Sequence, residues 1–167
     1  MSSSRRKGSR PIALALRTLH LLALALWLGA PAVYATRISR AGRARGEAGE
    51  LAARRQGQWL LVLEHVSLAI LLLSGLVLMQ LLGVRPGVRW LALKLGIVAL
   101  LVVPLEAMHA YIAHVWIARG LRQTAAPPLS KDLTRGISVQ RMILALALPL
   151  LGLAVPLLVW LSLARPR

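Results

Sequence analysis

No cysteine occurs in the chain, so disulfides, thiolate metal sites and cysteine nucleophiles are all excluded. Phenylalanine is absent as well, and leucine and alanine fill the apolar positions it would take. Acid is scarce: five Asp and Glu stand against 21 Lys and Arg, for a net charge of +16. In a soluble chain that excess would point to nucleic acid. Here no aromatic-rich basic module accompanies it. Every Lys and Arg except Arg17 and Lys94 falls in a tail, a loop or the edge of an apolar run, as in membrane flanks that face anionic lipid. Nucleic-acid binding is therefore set aside.

What is abundant is apolar surface. Apolar residues make up 57% of the 167 positions, which excludes an ordinary soluble domain and places the chain among polytopic membrane proteins. Four apolar runs, at about 12–35, 58–82, 89–117 and 142–163, approach the roughly 20 residues that a helix needs to cross the hydrocarbon. The predicted fold class is all-α: a four-helix transmembrane bundle with both termini on one side. A single transmembrane domain over 12–164 lies between a basic N-terminal tail, residues 1–11, and a short C-terminal tail, residues 165–167. No internal repeat is present.

The connections differ in kind. Residues 36–57 read as a basic loop with Glu47 and Glu50, holding a short amphipathic helix before Arg54 and Arg55. Arg85-Pro86-Gly87 reads as a tight turn that makes spans two and three antiparallel neighbours. Pro127-Pro128 breaks any helix between spans three and four. The longer loops carry more Lys and Arg than the terminal side, which places them in the cytoplasm and the termini outside, although the basic N-terminal tail argues the other way. Arg5-Arg6-Lys7, the first apolar run and Ala30-Pro31-Ala32 imitate a signal peptide. The run is too long for one and contains Arg17 and His20, so a retained first span in a bacterial inner membrane is expected.

Ionisable residues at membrane depth carry the functional signal. Each costs about 2.5–3.5 kcal/mol on insertion scales. All four histidines lie inside apolar runs with Glu64, Glu106, Lys94 and Arg17. At about 1.5 Å of rise per residue, His20 lies roughly 12 Å and Lys94 roughly 7 Å inside the terminal face. His65 lies roughly 10 Å, His109 roughly 14 Å and His114 roughly 6 Å inside the opposite one. Two clusters follow: Arg17, His20 and Lys94 in one leaflet, and Glu64, His65, Glu106 and His109 in the other. On the second span Glu64, Ser67, Ser74 and Gly75 form a small, polar stripe of the type that packs on another helix. On the third, Lys94, Leu101, Leu105, His109 and Trp116 share a face, subject to a kink at Pro104.

Three readings of these clusters stay open. His65 and His109 are suited to axial ligation of a b-type haem, with His20 and Lys94 forming a second haem, quinone or porphyrin site and Arg17 assisting. Such a protein would transfer electrons or oxidise a porphyrin or quinol, with a quinone, porphyrin or redox protein as partner. The same histidines with Glu64, Glu106 and Met108 also suit copper or another metal ion. In the third reading the polar residues only lock helix packing, as in an accessory subunit or a homo-oligomer. His114, near the interface, reads as a headgroup contact. Only one Glu-x-x-His motif, Glu106 to His109, is present, which is too few for a di-iron bundle site. The tryptophans mostly mark span ends, as interfacial belts do. No catalytic residue is assigned.

Two short stretches resemble known families. Leu19-His20-Leu21-Leu22, followed by Trp27-Leu28-Gly29, resembles the opening span of bacterial copper-resistance D-type membrane proteins and of the HemJ-type protoporphyrinogen oxidases. Trp90-Leu91 with Lys94-Leu95 resembles the tryptophan–lysine pattern that both carry in the third span. The HemJ resemblance implies a four-helix protein holding b-type haem, with the required histidine and lysine at His20 and Lys94. The copper-resistance resemblance implies a role in moving copper across the inner membrane. The likeness covers about a quarter of the chain, and His65, Glu106 and His109 have no counterpart in the HemJ pattern.

Overall fold

The structure, a computed structural model, describes residues 4–84 and 88–163, with side chains described for 11–84 and 88–161. It is all-α, with no strand among the described residues. Four helices, Pro11–Gln56, Gln58–Leu81, Arg89–Gln123 and Lys131–Leu161, are long and apolar enough to cross a membrane. That is the make-up of a four-helix membrane bundle and of a multi-pass membrane protein. Helices are the expected solution, because a helix satisfies its own backbone donors and acceptors where no water can. The turn expected at Arg85-Pro86-Gly87 and both extreme tails lie outside the described residues. The chain divides into two compact units, Met1–Arg85 and Pro86–Arg167.

The first unit is a helical hairpin. α1 (Ser4–Gln56) runs on through residues 36–57, where the sequence suggested a loop with a short helix. Alanine and arginine are strong helix formers, so the basic composition of this stretch does not prevent helix. Only Gly46 leaves the helical region, at φ 59° and ψ −149°, a conformation open essentially to glycine alone. The chain reverses there. Gly49 then lies against Ala41 and Arg45, Gly57 against Tyr34, and Gly75 against His20. These contacts step in opposite directions along the two arms, so α2 (Gln58–Leu81), together with the stretch after Gly46, runs antiparallel to the first arm.

The buried positions give the reason. Ala23, Trp27, Ala30 and Tyr34 on one arm, and Gly57, Leu61, Glu64 and Leu68 on the other, recur at steps of four and three, the spacing of a coiled-coil seam. Small residues at the seam let the backbones approach closely, which is how helices associate when lipid removes the hydrophobic driving force.

The second unit pairs α3 (Arg89–Gln123) with α4 (Lys131–Leu163). α3 contains two widened π turns, Val98–Val102 and Ile112–Ile117. The first immediately precedes Pro104, whose ring collides with the carbonyl four residues back in a regular helix. The distortion expected at this proline therefore takes the form of a wide turn. Each π turn takes in about one extra residue, and this shifts the helix face. The buried line runs Val102, Glu106, His109, Ala113, Ile117, while Trp116, expected beside His109, is exposed. Ser130 caps α4 by accepting the backbone N–H of Leu133 at 3.3 Å. Contacts of Gly120 with Leu133, Gly136 with Ile117, and His109 with Gln140 make the two helices antiparallel.

A β-carbon at Gly57 would lie 2.7 Å from the Tyr34 ring and 2.9 Å from the Ala53 carbonyl oxygen, whereas one at Gly29 meets nothing within 4 Å. Gly57→Ala should lower unfolding stability by about 1–3 kcal/mol, the usual cost of overpacking. Gly29→Ala should be neutral or slightly stabilising. Denaturation of the purified protein in mixed detergent micelles checks both.

Candidate metal-binding site

Within the first unit, α2 carries His65 in a half-buried position. Its Nδ1 lies 2.6 Å from the carbonyl oxygen of Leu61, one turn back. A carbonyl only accepts, so Nδ1 holds the ring proton and donates it. In the neutral ring the lone pair then sits on Nε2, which is buried. A metal-ligating histidine is commonly held this way, its second nitrogen donating to a backbone carbonyl that fixes tautomer and orientation.

Glu64 is the preceding residue on α2. It is buried in the seam with α1, where it acts electrostatically on Tyr34 together with Arg54 and Glu50. Arg54, only 3% exposed, donates from Nε and Nη2 to Oε1 of Glu50, at 2.9 and 2.7 Å. In sequence these two charges belong to a basic loop. The reversal at Gly46 turns Arg54 inward, where its charge requires a partner.

His20 is the third polar element of this seam. Its Nδ1 lies 2.9 Å from Ser74 Oγ, which itself donates to the Leu71 carbonyl at 3.1 Å. The serine proton is thus committed, and the hydroxyl accepts from His20 Nδ1–H. A β-carbon at Gly75 would touch the ring at 3.2 Å, so the small stripe on α2 is the surface on which His20 packs. Arg17, one turn away, is exposed.

Within the second unit, Glu106 and His109 occupy one buried face of α3, 7% and 4% exposed. Their three-residue spacing puts them side by side. His109 Nε2 lies 3.2 Å from the amide nitrogen of Gln140 on α4, itself 3% exposed. Gln140 is the functional neighbour that sequence reasoning passes over. Its one available signal is its place in the apolar series Leu133, Ile137, Gln140, Ile143, Ala147 of α4, where an uncharged polar residue interrupts a buried line. Met108, beside His109 in sequence, is 47% exposed. Lys94 is half-buried on α3, and His114 is half-buried within the second π turn.

Among the described residues, His65 in the first unit, and Glu106 with His109 in the second, have the donor chemistry to hold a metal ion. Imidazole and carboxylate donors of this kind suit zinc, copper(II) or iron(II). Comparison with family models, with curated proteins and with solved structures finds no match for this chain.

Ser74→Ala tests the place of His20. Removing the acceptor of a part-buried imidazole N–H should cost about 1–3 kcal/mol of stability. Metal content should stay at the wild-type level, because no donor of the His/Glu set is touched. Unfolding in detergent and elemental analysis of the same preparation read the two effects separately.

Proposed function

We propose that this protein is an integral membrane metalloprotein that binds a transition-metal ion inside the bilayer, with Glu106 and His109 as its donor pair on α3 and His65 as a donor on α2. Its role is redox chemistry or the handling of that ion. The observation that carries the reading is the preparation of His65: its proton is pinned on Nδ1 by the Leu61 carbonyl, which directs the Nε2 lone pair to a ligand. Glu106 supports it. It lies one turn from His109 on the same buried face of α3, so the pair can offer a carboxylate and an imidazole to one ion. The copper-resistance D-type resemblance of the first and third spans agrees with metal handling in a bacterial inner membrane.

A second reading, b-type haem held by His65 and His109, is favoured by the burial of His109 and by the carbonyl-anchored ring of His65. In that case His20 and Lys94 form a second haem, quinone or porphyrin site, in line with the HemJ-type resemblance, and the protein passes electrons to a quinone or redox partner. The ion reading is preferred because Glu106, one turn from His109 on the same buried face, adds a carboxylate donor that suits an ion.

Elemental analysis and absorption spectra of protein purified in detergent, after exposure to iron, copper and zinc, separate the readings. We expect about one metal ion per chain and no Soret band. His65→Ala and His109→Ala should abolish binding, and Glu106→Gln should weaken it at least tenfold. A Soret band lost in both histidine variants establishes haem instead. Colourless protein that retains no metal overturns both.

A further inference from the structure

We infer that residues 36–56 form a rigid basic post outside the membrane that docks an acidic segment of a partner protein. The inference concerns the first unit alone and does not depend on the metal reading. Both arms of the hairpin locate the base of the post. On α1 the exposed apolar stripe Leu22, Leu26, Val33 gives way to exposed Arg37 and Arg40 at the same helical spacing. On α2 the exposed stripe Val66, Val62, Trp59 gives way, one turn earlier in the chain, to exposed Arg55. The contact of Gly57 with Tyr34 puts Val33 and Trp59 at about the same height. The two arms therefore mark one hydrocarbon edge, with a tryptophan at it as interfacial belts have.

From Val33 to Gly46 the first arm rises about 20 Å, and a tilt of about 20° shortens that by only about 1 Å. The headgroup layer takes up roughly 5–7 Å of it, so Arg43 and Arg45 stand in water. The post does not lie down on the bilayer. A helix that rests in the interface inserts an apolar face, and no large apolar residue is exposed between Val33 and Trp59. Leu51 is buried and Ile38 half-buried instead. Gly42 and Gly49 let the arms close against Glu50 and Ala41, and the Arg54–Glu50 ion pair braces the second arm.

What the post exposes is positive charge: Arg37, Arg40, Arg43, Arg45 and Arg55 against Glu47. Arg37, Arg40 and Arg43 are neighbours on the helix surface, and with Arg45 the row is about 12 Å long. That is too long for a single phosphate. A nucleic-acid strand would find no exposed aromatic ring on the post to stack against. Lipid headgroups reach Arg37 and Arg55 but not the outer arginines. A run of carboxylates fits the whole row, since guanidinium forks pair with carboxylates and about four residues of extended chain cover 12 Å. A positive surface held in water also steers an acidic partner toward it.

The chain has no cysteine, so single spin labels can be placed through Val33→Cys, Trp59→Cys, Arg43→Cys and Arg45→Cys. In nanodiscs of neutral phosphatidylcholine, collision with oxygen should dominate at the first two sites, and collision with a water-soluble nickel complex at the last two. The pattern should persist in discs rich in anionic phosphatidylglycerol. Labels at 43 and 45 that sink to headgroup or lipid depth in either disc would make the bilayer the occupant and overturn the inference. Docking is read in neutral discs by the fluorescence anisotropy of a labelled oligoglutamate peptide. Wild type should bind it, more weakly as salt rises. The variant Arg40→Glu/Arg43→Glu/Arg45→Glu should bind at least about tenfold more weakly. The variant Arg122→Glu/Lys131→Glu/Arg135→Glu makes the same change of charge on the second unit and should stay within about twofold of wild type. Both alter exposed residues, and circular dichroism should show wild-type helix in each. No binding by wild type, undiminished binding by the hairpin variant, or equal weakening in the two variants would each overturn the inference.

Discussion

A polar group inside the hydrocarbon has no water to turn to, and this one constraint orders most of what the chain does. The backbone answers it by being helical almost throughout. The side chains answer it locally. His20 donates to Ser74, Arg54 grips Glu50, His65 donates to the Leu61 carbonyl, and His109 meets Gln140. Each of these contacts also fixes a geometry. The first ties the two arms of the hairpin, the second braces the arm that follows Gly46, and the third fixes which ring nitrogen His65 presents.

The same constraint explains where small residues fall. Ala23, Ala30, Ser67 and Ser74 are buried at the hairpin seam, while large leucines such as Leu73 and Leu21 are exposed to the surroundings. In water that arrangement would be inverted. In lipid, leucine gains little by turning inward, and close backbone approach through small side chains gains more.

Much of this was legible in the sequence, because it depends on composition and period. The four spans follow from length and hydropathy, and the packing stripe of Glu64, Ser67, Ser74 and Gly75 follows from helical spacing. Glu106 and His109 were recognisable as a same-face pair for the same reason. Other features were not, and each failure has a physical cause. Residues 36–57 look like a loop because charge marks the end of a span, yet charge does not end a helix. Arg54 gives no sign of burial until the reversal at Gly46 turns it inward. Trp116 leaves the face of His109 because a π turn adds a residue that no regular period anticipates. Gln140 draws no attention because an amide has neither charge nor an obvious ligand atom. Its importance comes only from what stands opposite it.

The central claim is the proposal that Glu106 and His109 hold a metal ion inside the bilayer. X-ray absorption at the metal edge of the loaded, purified protein tests it most directly, because outer-shell scattering from imidazole rings is distinctive and can be counted. The account predicts imidazole nitrogen together with at least one oxygen, all at about 2.0–2.2 Å. A first shell without imidazole scattering, or one made of oxygen alone, would contradict it.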